Sequence, residues 1–382
     1  MKTKKYGYWR SNGIDFLNKI DALRYATQNN DDLVYMYHDE VWNKFDRSLL
    51  GKISLNQLYK ERAQQLRDRY DYLILYYSGG SDSHNVLMTY INNGIKLDEI
   101  IVRWPEALRG GKLYTPNTTD KSSSNIWSEW DYAITPSLDW LKLNHPEIKI
   151  TIKDYIEDLN ETNLESRLET SNHTRAGFLL SFAKEDLNYS KKSIGHIFGA
   201  DKPVLAVQDQ KIYMIFNDIA TSMLYSDKTK DSDPESIECF YWAPDFPLLT
   251  FEMAYQVSEY FNVNKDKRKF LLSYENNKLM SDNFNFQRSI TYQIQNNLVK
   301  NICYDTWDFK FQAEKITSAN AEDKWWWFFQ KPEFTNLKQQ YISLAKSITN
   351  QIDKKFLLGY NSSFQTTKTT SSNLFYIRTL DP

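Results

Sequence analysis

The chain is short of cysteine, histidine and net charge, and each shortage removes a class of function. Its two cysteines, Cys239 and Cys303, lie far apart, with no CxxC and no paired Cys/His spacing. That argues against a zinc knuckle or an iron–sulfur cluster and predicts buried free thiols. The five histidines, at 38, 84, 145, 173 and 196, show no HxH or HExxH pattern, so no histidine metal site is expected. A formal charge of -2 gives no bulk attraction for a polyanion, although a local basic face stays open. No apolar run is long enough to cross a bilayer, and the opening MKTKKYGYWRSNG carries lysines without an apolar core or a cleavage site. The expectation is a cytoplasmic protein with no membrane partner.

What is present is a globular composition: 382 residues, 41% hydrophobic, 25% charged and 15% aromatic. Such a length suits a catalytic domain with a second lobe. Residues 1–67 read as an α/β lead-in, with a strand in LVYMYHDEVW from Leu33 and a helix opened by the capping pair Ser54 and Gln57. Residues 68–239 alternate strand and helix. The strands are Tyr72–Tyr77, EIIVRW from Glu99, IKITIKDY from Ile148 and IGHIFG from Ile194; Val86, Leu87, Tyr90 and Ile91 form a helical stripe ending near Gly94, and further helices fall on SLDWLKLNHPE and HTRAGFLLSFAKEDL. This alternation predicts an α/β fold, a parallel sheet with helices on both faces. A hairpin turning near Gln208–Lys211 follows. Residues 240–382 read as a mixed or mainly helical, aromatic-rich C-terminal region whose polar tail NSSFQTTKTTSSN is expected to be mobile, with LFYIR from Leu374 as a returning strand.

With only 12 glycines in the chain, the pair Gly79–Gly80 in YLILYYSGGSDSHNVLMTY stands at a strand-to-helix junction among Ser78, Ser81, Asp82 and Ser83. Main-chain N–H groups point outward there, and the helix dipole favours negative charge. The glycines permit a sharp turn and close approach of a phosphate, and the hydroxyls of Ser78, Ser81 and Ser83 add donors. Asp82 would repel a phosphate unless a cation lies between them, which points to magnesium. On this reading Asp82→Asn, a loop change without a cavity, keeps the fold and loses metal-assisted turnover. No lysine follows in GxxxxGK[ST] spacing, and GxGxxG is absent.

The stretch SGGSDS resembles the SGGxDS signature of the PP-loop (N-type) ATP pyrophosphatase superfamily at all of its specified positions. Asparagine synthetases, GMP synthetases, NAD synthetases and tRNA lysidine synthetases share it. At the level of fold the resemblance spans roughly residues 68–205, and the whole chain is similar to PP-loop proteins of tailed phages. It implies a HUP-like, adenine nucleotide alpha-hydrolase-like sheet. It also implies an ATP- and magnesium-dependent ligase, which transfers AMP to a substrate oxygen and releases pyrophosphate before an amine or ammonia displaces AMP. Ser78, Gly79, Gly80, Ser81 and Ser83 would hold the β and γ phosphates, with Asp82 near the metal. Adenine would lie against Val102, Arg103 and Trp104; Trp104 either stacks on the base or plugs the sheet edge. A later loop, GADKP, would bring Asp201 and Lys202 to the pyrophosphate, the lysine stabilising negative charge; a turn leading into a hairpin is the alternative. Arg175 beside His173 is a further candidate, with a solvated helix-face arginine as the alternative, and His84, on the first turn of the phosphate-site helix, is read either as orienting a substrate or, more plainly, as a surface residue.

The acceptor is not legible. Position 2 is Lys2, so no N-terminal cysteine glutaminase is expected, and two isolated cysteines disfavour the thiolating, sulfate-reducing and zinc-bearing branches. The basic run NKDKRKF and the aromatic block KWWWFFQKPEF suit either a nucleic-acid substrate or a solvated turn and a buried helix. A catalytically silent nucleotide-binding regulator is the non-enzymatic alternative.

Overall fold

The structure is a computed structural model that describes residues 4–103, 130–153, 193–199, 202–218, 237–275, 301–304, 335–361 and 364–380. The chain opens with an antiparallel sheet of β1 (Tyr8–Ser11), β2 (Ile14–Phe16) and β3 (Val34–Met36), with β1 in the middle. Between β2 and β3 lies α1 (Lys19–Gln28), capped by the Asn18 side chain, which accepts from the Asp21 N–H. After the short α2 (Asp39–Lys44) comes α3 (Leu55–Arg69), where Ser54 accepts from the Gln57 N–H as its spacing predicts. Leu58, Tyr59, Ala63 and Leu66 form the buried stripe of α3.

From α3 the chain enters the central sheet. Its strands are β4 (Tyr72–Tyr76), β5 (Glu99–Arg103), β6 (Lys149–Lys153), β7 (Ile194–Phe198) and β10 (Ile237–Cys239), with α4 (Ser81–Asn92) and α5 (Thr135–Asn144) in the crossovers. All neighbours pair parallel, in the order β10-β7-β4-β5-β6. Leu73, Ile74, Ile100, Val102 and Ile197 are fully buried, the continuous apolar pattern of strands covered on both faces. The chain runs outward from β4 through β5 and β6, then restarts on the other side of β4 with β7. The order in which strands are added therefore reverses between β4 and β7, and in open α/β sheets the crevice at the carboxyl ends beside such a reversal is where ligands bind.

Among the buried polar residues of this sheet are Glu99 and His196. Glu99, 1% exposed, accepts from the Tyr72 hydroxyl at 3.0 Å and from Lys149 at 3.1 Å. His196, 4% exposed, shares a 3.0 Å hydrogen bond with the Tyr76 hydroxyl, and burial pulls its pKa from 6.5 down to about 4. Between those two values the unfolded chain binds a proton that the folded chain does not. The stabilisation from a neutral His196 is thus complete above pH 6.5 and fades as pH falls toward 4, by about 1.4 kcal/mol per pH unit. His196→Gln is expected to flatten the acid limb of stability against pH in this window, measured by urea unfolding.

Beyond the sheet, β8 (Val204–Gln208) and β9 (Lys211–Ile215) form the expected hairpin, with Asp209 and Gln210 both at positive φ in the turn. The carboxy-terminal part is mixed among the described residues: α6 (Pro247–Val263), α7 (Lys265–Glu275) and α8 (Thr335–Thr349), then β11 (Leu357–Asn361), β12 (Phe364–Thr367) and β13 (Phe375–Thr379). As LFYIR suggests, β13 returns to pair antiparallel with β9. Rings from distant parts of the chain meet in one core: Phe216 lies 4.7 Å from Tyr37, 4.8 Å from Trp42 and 5.1 Å from Trp242.

The polar tail corrects the expectation of mobility. Thr367, Thr369, Thr370 and Ser372 are buried, and β12 pairs with β11. Their backbone is the reason. Lys368 O accepts from Lys19 Nζ at 2.7 Å, Thr370 N donates to Asp218 Oδ1 at 3.0 Å, and Ser372 N donates to Phe216 O at 2.8 Å. Side-chain polarity says nothing about such pairing, because each residue carries a main-chain donor and acceptor whatever its side chain.

Candidate functional site

The loop Ser78–Gly80 leaves the carboxyl end of β4 at the reversal point, and α4 starts at Ser81. Gly79 has φ +70°, and a Cβ there would stand 2.6 Å from Ile134 Cγ1, so neither backbone nor space admits a side chain. Gly80 is the N-cap of α4 and caps it with no side chain; a Cβ there would meet Ser78 Oγ at 3.2 Å. The first turn of α4 accordingly presents main-chain donors and the positive end of its dipole toward the loop.

The loop is tied together by its own hydroxyls. Ser83 Oγ accepts from Ser78 N at 3.2 Å and donates to Gly80 O at 3.2 Å, and Ser78 Oγ accepts from Gly80 N at 3.3 Å. Ser81 and Ser83 are buried, whereas Ser78 is exposed and Asp82 half-buried. Ser78 and Ser83 therefore shape the loop first; of the three serines, Ser78 is the exposed one.

Asp82 is the charged centre. Its Oδ1 accepts from Lys202 Nζ at 3.1 Å and from the Tyr304 hydroxyl at 2.5 Å, while its main-chain O accepts from the Tyr241 hydroxyl at 2.8 Å. Asn85, one turn along α4, donates to the Tyr241 hydroxyl at 3.0 Å. Lys202 is only 3% exposed, so a buried ammonium faces a carboxylate. The phenols of Tyr241 and Tyr304 are pushed well above 10, by burial first and by the Asp82 charge second, and remain neutral donors.

Lys202 reaches Asp82 because β7 ends against α4. A Cβ on Gly199 would stand 3.0 Å from Asp82 C and from Ser83 N and Cα, so the strand end lies directly on the first turn of the helix. The stretch after β7 and the loop after β4, nominated separately from the sequence, thus meet at one point.

Other expectations divide. Val102 is buried in β5, and Arg103 ends that strand, whose Ile101 pairs with Tyr76 of β4; both stand at the edge that carries the loop. Trp104, Asp201, His173, Arg175 and the block 324–334 lie outside the described residues. His84 is no surface residue: it is 2% exposed, its Nδ1 2.9 Å from the Tyr77 hydroxyl, because α4 turns that side back onto the sheet. Cys239 and Cys303 are buried free thiols as expected, both raised to about 12 by burial and so poor nucleophiles. Tyr304, Tyr241 and Asn85 escaped the sequence reading. Tyr304 is 222 residues from Asp82, and no local pattern marks it.

Fold and site together define an α/β protein with a five-stranded parallel sheet whose carboxyl edge carries the Ser78–Gly80 loop, with Asp82 and Lys202 paired beside it. Comparison with family models, curated proteins and solved structures finds no match. No described helix is long and apolar enough to cross a membrane.

Proposed function

We propose that the protein is a magnesium-dependent ATP pyrophosphatase of the PP-loop kind, with a HUP-like sheet. It would adenylate a substrate oxygen and release pyrophosphate, after which an amine or ammonia displaces AMP. The observation that carries this reading is the position of SGGSDS: at the carboxyl end of the central strand β4, beside the reversal point, with Lys202, just ahead of β8, facing Asp82.

The residues fit a triphosphate. A glycine without a cap side chain opens a 12-residue helix, and a buried lysine stands beside that opening. Gly79, Gly80, Ser78 and the first-turn amides of α4 would bind the β and γ phosphates, and Lys202 would stabilise charge on the departing pyrophosphate. Val102 and Arg103 would offer main-chain groups to the base. Magnesium fits only in part: it takes one or two carboxylates together with substrate phosphates and water, which Asp82 can satisfy. No cluster of three or more His, Cys, Asp or Glu among the described residues would hold a metal without a substrate. When bound, magnesium would neutralise phosphate charge and orient the α phosphorus for attack.

The engagement of Asp82 by Lys202 and Tyr304 favours one second reading, a nucleotide-binding regulator that does not turn over. Incubation with ATP, magnesium and fractionated cell extract separates the two. AMP and pyrophosphate in equal amounts are expected; ADP and phosphate as sole products sink the proposal, and tight ATP binding without turnover selects the regulator. A nucleic-acid acceptor would show as RNA or DNA binding that weakens steeply with salt.

A further inference from the structure

The closed state of Asp82 says in what form the site takes its metal. A divalent ion arriving alone would find one carboxylate, whose Oδ1 already receives the Lys202 ammonium at 3.1 Å and the Tyr304 phenol. Lys202 is 3% exposed and Tyr304 1% exposed, so neither swings freely into water, and Gly199 on the first turn of α4 leaves the strand end little room to retreat. A cation placed beside Asp82 would be repelled by a lysine it could not displace, with no further acidic cluster in the described residues to offset that repulsion.

We propose that Lys202 is a tethered counter-ion holding the metal position in the free protein, so that the site admits a divalent ion only as a metal–polyphosphate complex. This rests on the functional reading above. A polyphosphate brings the negative charge that Lys202 can move to. Asp82 is then released to the metal that rides on the phosphates, and Tyr304 keeps the carboxylate oriented during the exchange. The side chain serves two partners in turn: Asp82 when the site is empty of phosphate, and phosphate oxygens when it is filled.

The test uses Mn2+ as the probe, followed by its free-ion paramagnetic resonance signal, on the full chain. The wild-type protein is expected to bind no Mn2+ at micromolar concentration, and Lys202→Met to bind it at least about tenfold more tightly than wild type, the factor set by removing one adjacent like charge. The gain should vanish in the double variant Lys202→Met/Asp82→Asn, which locates the ion at Asp82. Lys202→Gln, which keeps a hydrogen-bond donor for Asp82, repeats the experiment should the methionine variant fail to fold. Equal Mn2+ affinity in wild type and both lysine variants overturns the proposal. A second arm adds a non-hydrolysable ATP analogue to wild type. Its Mn2+ uptake is expected to rise with the analogue; failure of the analogue to bind in the presence or absence of Mn2+ strikes the functional reading, whereas the comparison of lysine variants judges the tethered-cation claim by itself.

Discussion

Asp82→Asn is expected to lower the rate of AMP and pyrophosphate formation by about 10²–10³-fold or more, the scale of losing one preorganised charge contact at a reacting centre. It is also expected to cost stability, which reading the loop alone did not anticipate. Lys202 is buried, and its charge is met by Asp82 at 3.1 Å; the neutral amide leaves an ammonium without that counter-charge. Breaking a fully buried pair from one side costs about 3–5 kcal/mol, and the 27% exposure of the Asp82 side chain lets water compensate, so about 1–2 kcal/mol is expected. Adding Lys202→Gln to Asp82→Asn should restore the urea midpoint without restoring turnover. If Asp82→Asn kept full activity, the assignment of Asp82 to the metal-bearing phosphate site would be wrong; if it kept full stability, the ion pair with Lys202 would carry no weight.

The largest loss of stability is expected from Lys19→Met. Lys19 on α1 is 0% exposed and lies 2.6 Å from Asp218, itself 1% exposed. Asp218 also accepts from the Trp9 indole at 2.8 Å and from Thr370 N at 3.0 Å, and Lys19 donates to Lys368 O. One buried pair therefore fastens the amino-terminal sheet, the segment after β9 and the carboxy-terminal tail. Methionine fills most of the volume and strands the carboxylate, for a cost of about 3–5 kcal/mol in urea unfolding. Hydrogen exchange should accelerate first at the amides of Thr370 and Ser372. A companion change of Asp218 to Asn, which removes the stranded charge and keeps an acceptor for one of the two donors, Trp9 or Thr370, should recover part of the loss. Unchanged stability in Lys19→Met would show that apolar packing alone holds the tail.

On the proposed reading, the site without phosphate and the site with it would differ in where one ammonium points. That economy makes the functional reading sensitive to single residues, and it explains why Tyr304 matters: a neutral phenol can hold Asp82 in place without competing for a cation. Because both phenols near Asp82 are pushed well above 10, they stay protonated donors through the neutral range. No pH dependence of the site near neutrality is expected to arise from them.

Elements fixed by neighbours in the chain were legible without coordinates. The Ser54 cap, the apolar run of β4, the Gly79–Gly80 junction and the hairpin turn at Asp209–Gln210 are each determined by steric and hydrogen-bonding rules acting over a few residues. Tertiary structure alone decided the rest. Asp82 meets Lys202 120 residues away and Tyr304 222 residues away, and Lys19 meets a backbone oxygen 349 residues away. A polar residue's fate depends on whether a partner reaches it from elsewhere in the fold. The sequence gives its chemistry, and only the packed chain gives the partner.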